Sequence, residues 1–253
     1  MAPQPVIAMI HGLIGSLDYF DPAERITCAD VRTIDLLGYG TSRTARREHR
    51  TLRNQTDHIA AHIEAWSAAP VWVLGHSMGG AIAVLLADRR PDLVRGLISV
   101  EGNFTGKDTF WSAKIVRKSL QDWTNEYQKM RRDVRAWTER VGVEPTERAV
   151  AWMTTILDHQ PASTVYAMSH AILDETLSAD YLASVQRVID RDVPIHLIAG
   201  ERSAGSWGVP EFARAAARTD TVIPHTGHLM MLEDPDAFCR TVDKILAPDT
   251  TST

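Results

Sequence analysis

Apolar residues form six short runs along the chain. The runs are rich in β-branched residues and end at turn-forming residues, which is typical of buried strands. They cover residues 5–10, 31–35, 71–74, 96–100, 194–199 and 221–224. Helices are predicted between them, at residues 18–25, 53–67, 81–87, 210–218 and 235–246. Strands that alternate with helices predict a mostly parallel sheet of about six strands with helices on both faces.

The middle of the chain breaks this alternation. Between the fourth and fifth strands the only periodicity is helical, at residues 119–140, 145–159, 161–175 and 178–189. An all-helical insert at this point is expected to cover the carboxyl edge of the sheet, where open α/β sheets bind ligands. The pattern therefore predicts a core made of residues 1–103 and 190–253 and a helical cap made of residues 104–189.

One strand-to-helix junction carries a motif with chemical meaning. The apolar run at residues 71–74 leads into Gly75-His76-Ser77-Met78-Gly79, and a second apolar run follows at residues 81–87. A G-x-S-x-G sequence between a strand and a helix predicts a nucleophile elbow, a tight turn that exposes the serine hydroxyl in a strained conformation. The N-terminus of the helix directs partial positive charge at whatever forms beside that hydroxyl. Ser77 is therefore the candidate nucleophile.

Composition narrows the classes of function. The 253 residues are 44% hydrophobic, which is enough for a sizeable core, and carry a net charge of −5. This charge gives no basic footprint for nucleic acid or for an anionic membrane. Apolar runs are too short to span a bilayer, and the N-terminus lacks the pattern of a signal peptide. Cys28 and Cys239 have no metal spacing and are typical of reduced thiols, so a cytoplasmic location is expected.

The sequence also lacks the common cofactor motifs. No G-x-G-x-x-G sequence, phosphate loop or cluster of metal ligands is found in it. We therefore expect no cofactor and no metal, and a small-molecule substrate as the partner. The oligomeric state is left open.

Three motifs, taken in order, resemble those of the α/β-hydrolase fold family. They are His11-Gly12 followed by Gly15-Ser16, the elbow at residues 75–79, and Gly227-His228 followed by four apolar residues and then by Glu233-Asp234-Pro235. The resemblance covers residues 6–100 and 194–246 and implies the α/β-hydrolase fold with a cap. Family members often begin with two further strands, which are expected to be absent here.

The resemblance implies roles for further residues. A serine hydroxyl needs a base that titrates near neutrality, and the family places a histidine after the last strand, where this chain has His228. His225 is a rival, but the family motif matches from His228 onward. The family also implies an oxyanion hole made of the backbone N–H groups of Leu13 and Met78.

The acid that orients the histidine is less obvious. The family usually carries an Asp after the penultimate strand, and this chain has Ser203 at that position. Some members carry the acid one strand earlier, where this chain has Glu101 directly before Gly102-Asn103. A carboxylate at the end of a buried strand requires a partner, which protonated His228 would supply. Glu101 is therefore the expected acid, with Glu201, or no acid at all, as the alternatives.

Apolar and aromatic side chains are expected to surround these groups. The candidates for the substrate pocket are Ile14, Phe104, Phe110, Trp111 and Met230. They favour an apolar or aromatic acyl group, and we expect a serine hydrolase that cleaves a carboxylic ester or thioester through an acyl-enzyme on Ser77. The alternatives are an acyltransferase, lyase, cyclase or perhydrolase that uses the same residues, and a ligand-binding protein on a hydrolase fold.

Overall fold

The computed structural model describes residues 4–46 and 50–247. Six strands in this part of the chain form one all-parallel sheet, which confirms the prediction from the alternating pattern. They are β1 (Val6–Ile10), β2 (Asp30–Ile34), β3 (Val71–His76), β4 (Val94–Val100), β5 (Ile195–Gly200) and β6 (Thr219–Ile223). Their order in the sheet is β2-β1-β3-β4-β5-β6. The loops after β1, β3, β4 and β5 therefore lie side by side at one edge of the sheet.

At least one α-helix lies between each pair of consecutive strands. In chain order they are α1 (Pro22–Arg25), α2 (Leu52–Trp66), α3 (Met78–Arg89), α4 (Phe110–Val116), α5 (Leu120–Arg132), α6 (Val134–Arg140), α7 (Glu147–Asp158), α8 (Ala162–Thr176), α9 (Ala179–Asp190), α10 (Glu211–Ala216), α11 (Met230–Glu233) and α12 (Pro235–Leu246). The segment between β4 and β5 is all-helical, as predicted. In the described part of the chain, no helix combines the length and apolarity needed to cross a bilayer.

The helices of the insert differ in detail from the prediction. The segment predicted as one helix at residues 119–140 is two helices, because Asp133 leaves the helical conformation with φ −131° and ψ 71°. The Asp133 side chain accepts a hydrogen bond of 3.0 Å from the N–H of Ala136 and so caps the start of α6. The structure also contains α4, which the sequence pattern did not predict.

Alternate side chains of the inner strands enter two cores, one on each face of the sheet. In β1, Ala8 and Ile10 belong to the core on the side of α2, α3 and α9. Ile7 and Met9 belong to the core on the other side, which contains Phe238 of α12. Since both faces are covered, the strands need apolar residues at almost every position, which explains the continuous apolar runs.

The last helix of the insert packs on the core. α9 lies along α3, and Nη2 of Arg187 contacts Oδ2 of Asp88 at 2.6 Å. We propose that residues 104–189 form the cap and that residues 1–103 and 190–253 form the core. In this division α9 is the segment that fixes the cap to α3.

A carboxylate of the core and an imidazole of the insert form a second link. Asp35 follows β2, and its Oδ1 lies 2.6 Å from Nε2 of His159, which directly follows α7. Its other oxygen accepts hydrogen bonds from the backbone N–H and the hydroxyl of Thr41, at 2.8 and 2.9 Å. The hydrogen bond from His159 is the main reason why the pKa of Asp35 lies well below its ordinary value, although partial burial opposes it. This pair therefore stabilises the contact between the loop after β2 and the insert.

We expect Asp35→Asn to lower the free energy of unfolding by about 2 kcal/mol near neutral pH, because the His159 and Thr41 donors lose a charged acceptor. Folding lowers the pKa of Asp35, so its contribution is present above the ordinary value of 3.8 and is lost as pH falls through the folded value. Urea unfolding across this range should show the difference between variant and wild type shrinking below that pH. Asp57→Asn, which removes an exposed partner of Arg89, is the control. A difference that is independent of pH would contradict the prediction.

Candidate active site

Ser77 occupies the tight turn between β3 and α3. Its backbone lies at φ 53° and ψ −120°, which is strained for a residue with a side chain. Three backbone hydrogen bonds hold the turn. The N–H of Ser77 donates to the carbonyl of Val100 at 3.0 Å, and its carbonyl accepts from Gly80 at 2.9 Å and from Asn103 at 3.0 Å. The strained turn is thus tied to the end of β4.

Backbone contacts around this turn leave no room for additional side chains. A Cβ atom on Gly75 would lie 2.3 Å from the carbonyl oxygen of Gly79, and one on Gly79 would lie 2.3 Å from the carbonyl oxygen of Ile10. A Cβ atom on Gly80 would lie 2.4 Å from Cα of Gly102. Glycine is therefore required here for steric reasons. The close approach brings the ends of β1, β3 and β4 together around the candidate nucleophile.

His228 and Glu101 form the second part of the site. Nδ1 of His228 lies 2.7 Å from Oε2 of Glu101. Glu101 follows β4 with φ 40°, and its side chain is only 5% exposed. Its Oε1 accepts hydrogen bonds from the N–H of Gly200 at 2.9 Å and from the hydroxyl of Ser203 at 2.5 Å. The structure thus brings the predicted base and the predicted acid into contact.

Burial and hydrogen bonding act in opposite directions on Glu101. Burial alone would raise the pKa of this carboxyl, because it penalises the charged form. The hydrogen bonds from His228, Ser203 and Gly200 and the charge of His228 outweigh it and hold the pKa below its ordinary value. Glu101 is therefore an anion at neutral pH. Such an anion keeps a proton on Nδ1 of His228 and stabilises the imidazolium form.

The hydroxyl of Ser77 faces an amide in this structure. Its Oγ lies 3.4 Å from Oδ1 of Asn103, and within the described residues it makes no hydrogen bond to His228. Ser77 and His228 nevertheless line the same cavity. Rotation about the Cα–Cβ bond changes the neighbour of the hydroxyl, and catalytic hydrogen bonds often tighten only when substrate is bound. The arrangement supports the predicted triad of Ser77, His228 and Glu101, whose roles stay a prediction.

Two further histidines at the site are buried and hold loops. Nε2 of His76 lies 2.9 Å from the carbonyl oxygen of His228, and burial lowers the pKa of His76 to about 3. Nδ1 of His11 lies 2.8 Å from the carbonyl oxygen of Gly12, while its Nε2 accepts the N–H of Leu36 at 3.3 Å. Burial lowers the pKa of His11 to about 4. Both rings are therefore neutral and act as hydrogen-bond bridges.

The two rival residues contact each other instead of the candidate site. The side chain of His225 is 95% exposed, and its Nδ1 lies 3.6 Å from Oε2 of Glu201. The same carboxylate oxygen accepts the backbone N–H of His225 at 2.8 Å. Neither residue is among those that line the cavity around Ser77.

Two backbone N–H groups beside Ser77 have no acceptor in the described chain. One belongs to Met78, the first residue of α3, where helical N–H groups have no intrahelical partner. The other belongs to Leu13 in the loop after β1, whose carbonyl is held by the hydroxyl of Tyr39 at 2.8 Å. A Cβ atom on Gly12 would lie 3.2 Å from Cβ of Ser77, so this loop lies against the candidate nucleophile. Both N–H groups are therefore available as oxyanion donors.

A cavity of about 550 Å³ lies between the sheet edge and the insert. Of the predicted pocket residues, Ile14, Phe110 and Trp111 lie on its wall. The Trp111 ring lies beside that of Trp137, with centroids 5.8 Å apart, and Ile156 of α7 adds further apolar surface. The size and the lining suit a small organic ligand.

Two predicted pocket residues lie elsewhere, and the prediction for them is corrected. Phe104 is buried outside the cavity wall, with its ring centroid 6.0 Å from that of Trp207. Met230 and Met231 both belong to the core that contains Phe238, but only Met231 also lines the cavity. No helix was predicted for residues 230–233, but they form α11. A helix turns successive side chains by about 100°, so neighbouring residues face different sides.

Comparison with known proteins agrees with the fold. Residues 7–241 match the model of a family described as the alpha/beta hydrolase family. The chain belongs to this family. A 2-succinyl-6-hydroxy-2,4-cyclohexadiene-1-carboxylate synthase from Klebsiella pneumoniae is 27% identical over 260 residues, which cover 96% of this chain and 94% of the synthase.

Solved structures of an esterase and of a lactonase superimpose on most of the chain. An esterase from Exiguobacterium antarcticum has a TM-score of 0.75 at 18% identity, with 97% of this chain and 93% of that chain covered. The N-acyl homoserine lactonase AidH has a TM-score of 0.71 at 19% identity, with 99% and 91% covered. At these identities the likeness is one of fold alone. The predicted fold family is confirmed.

The groups around the cavity are together suited to one type of reaction. A hydroxyl, an imidazole–carboxylate pair and two backbone donors surround one cavity, which suits attack of the hydroxyl on a carbonyl carbon. Within residues 4–46 and 50–247, no three His, Cys, Asp or Glu side chains converge as metal ligands.

Ser203 contacts the candidate acid and is expected to position it. Because a hydrogen bond to a charged group is worth more than a neutral one, Ser203→Ala should lower kcat on an ester by about tenfold. Glu101→Gln should lower kcat by about 10³–10⁴-fold, because it removes the charge that stabilises the imidazolium. Steady-state kinetics with a p-nitrophenyl ester measures both.

The matched control is Ser206→Ala. Its hydroxyl donates to the carbonyl of Ser203 in the same turn and does not touch Glu101. A larger loss of kcat from Glu201→Gln than from Glu101→Gln would contradict the assignment of the acid.

Proposed function

We propose that the protein is a serine hydrolase that cleaves a carboxylic ester or thioester without a cofactor. The observation that supports it most strongly is the 2.7 Å contact between Nδ1 of His228 and the buried carboxylate of Glu101. That contact leaves Nε2 as the nitrogen able to take a proton from Ser77, whose side chain lines the same cavity.

The proposed reaction has two halves. His228 removes the proton of the Ser77 hydroxyl as the oxygen attacks the carbonyl carbon, and the backbone N–H groups of Leu13 and Met78 bind the oxyanion. Collapse of this intermediate expels the alcohol or thiol, which takes the proton from His228, and leaves an acyl-enzyme. Water then attacks the acyl-enzyme with His228 again as the base, which releases the acid.

The cavity wall supports an apolar or aromatic acyl group. Ile14, Trp111, Trp137 and Ile156 line the same cavity as Ser77. Burial of such a group against them is favourable by roughly 25 cal/mol per Å² of apolar surface. Cys28 and Cys239 are both unpaired, and we place the enzyme in the cytoplasm because reduced thiols are typical there.

A second candidate is a non-hydrolytic reaction at the same residues. The observation that favours it is the relationship, along nearly the whole chain, to a protein named as a synthase. The same serine and histidine would then remove or transfer a proton or an acyl group without final attack by water. Analysis of the products from one substrate, with and without an added acceptor alcohol, distinguishes hydrolysis from acyl transfer.

Labelling with a fluorophosphonate tests the proposed nucleophile directly. We expect rapid, stoichiometric modification of Ser77 in the wild type, because its hydroxyl is activated by His228. Ser77→Ala should abolish both labelling and hydrolysis of a p-nitrophenyl ester, while Ser112→Ala, which changes another serine of the cavity wall, should retain labelling. Undiminished turnover in Ser77→Ala would refute the nucleophile. A wild type that is neither labelled nor active would indicate a binding protein.

A further inference from the structure

The cavity wall carries three carboxylates, and each has its partners within the described chain. They belong to Glu101, Asp108 and Glu126. Glu101 contacts His228, and Glu126 forms an ion pair with Lys118.

Asp108 is also fully engaged. Its Oδ2 accepts the backbone N–H groups of Phe104 and Thr105 at 2.9 Å each, and its Oδ1 accepts that of Gly208 at 2.6 Å. Each of the three carboxylates therefore already has partners within the protein itself.

Two cations on the same wall differ from these carboxylates because they lack an ion-pair partner among the described residues. Lys114 of α4 and Arg140 of α6 line the cavity, and neither forms an ion pair with any residue that the structure describes. Each lies over an aromatic ring. Nζ of Lys114 is 5.6 Å from the ring centroid of Phe110, and Cζ of Arg140 is 6.0 Å from that of Trp137. A ring face orients a cation but leaves its N–H groups free to bind an anion.

The cations and the reacting groups are contributed by different parts of the fold. Lys114 and Arg140 are exposed side chains of α4 and α6 of the insert, and both line the cavity. Ser77 and His228 follow strands at the sheet edge, and Trp111 and Trp137 of the insert add apolar surface to the same cavity. A ligand that fills the cavity can therefore contact the hydroxyl at the sheet edge, the apolar surface of the wall and two positive charges on the insert.

We propose that Lys114 and Arg140 form an anion-binding site on the insert side of the cavity, and that the substrate has an apolar acyl body with a carboxylate at the end remote from the scissile bond. This proposal rests on the proposed ester hydrolysis and names its substrate class. A half-ester of a dicarboxylic acid has this chemistry. Guanidinium and ammonium groups at a partly enclosed site bind a carboxylate through charge-assisted hydrogen bonds.

The test compares esters that differ only in the remote charge. The probes are p-nitrophenyl monoesters of succinic, adipic and suberic acid and the neutral butyrate, hexanoate and octanoate esters with the same numbers of carbon atoms. The wild type should have about tenfold higher kcat/KM for the charged ester at the chain length that reaches the cations. The ratio of charged to neutral kcat/KM should fall by several-fold in Lys114→Gln and in Arg140→Gln, and approach one in the double variant.

The control removes a positive charge of the insert outside the cavity. Lys129→Gln on α5 lowers the net charge equally and is exposed, so it should leave the ratio unchanged. Because the measured quantity is a ratio within each variant, a general loss of stability does not imitate the effect. A wild-type ratio near one at every chain length, or a ratio that the double variant retains, would overturn the proposal.

Binding measured without turnover separates this proposal from the proposed function. Calorimetric titration of Ser77→Ala with adipic acid monoamide and with hexanamide compares the same charged and neutral bodies. Tighter binding of the monoamide, weakened in Ser77→Ala combined with Lys114→Gln and Arg140→Gln, would support the anion site even if no ester were hydrolysed. Binding of the monoamide no tighter than that of hexanamide would overturn it even if neutral esters were hydrolysed.

Discussion

The candidate site depends on a buried carboxylate whose negative charge is stabilised by several hydrogen-bond donors. A charge at Glu101, 5% exposed, would be very unfavourable without partners. Its donors come from distant parts of the chain. Gly200 is 99 residues away, Ser203 is 102 residues away and His228 is 127 residues away. The parallel register of β4 with β5 and of β5 with β6 brings these donors to one edge. The fold therefore makes the anion tolerable, and the anion in turn orients the imidazole.

A steric constraint places the hydroxyl at that same edge. The carbonyl of Ile10 at the end of β1 lies where a side chain on Gly79 would be, and Gly102 after β4 lies where one on Gly80 would be. The turn at Ser77 is therefore enclosed by the two neighbouring strands of β3. The backbone strain of Ser77 is maintained because those strands, rather than the turn itself, fix its position. Their close packing also explains why small residues occur on both sides of the serine.

Much of this arrangement could be predicted from the sequence, because its determinants are local. Five consecutive residues define the elbow. A carboxylate that directly follows a buried strand can also be recognised from the sequence as one that needs a partner. The role of Ser203 as a hydrogen-bond donor to Glu101 could not be predicted. A hydroxyl at the position where the family usually carries an Asp indicates only that this Asp is absent. Phe104 and Met230 were misplaced because the direction of a side chain depends on local turns that composition does not reveal. The break between α5 and α6 at Asp133 could not be predicted for the same reason, since it depends on the backbone conformation of one residue within a helical pattern.

The insert was the least predictable part, and it decides what the cavity accepts. Its helices obey only the requirement for apolar faces, so periodicity does not tell which apolar residues meet a ligand and which meet each other. In the structure the rings of Trp111 on α4 and Trp137 on α6 lie side by side, and this contact forms part of the apolar wall. The same contact joins the two helices that carry Lys114 and Arg140. The apolar wall and the pair of unpaired cations therefore have one structural origin. A change in the packing of α4 against α6 would alter both the shape of the cavity and the positions of its two cations. The sheet register would meanwhile hold Ser77, His228 and Glu101 in place.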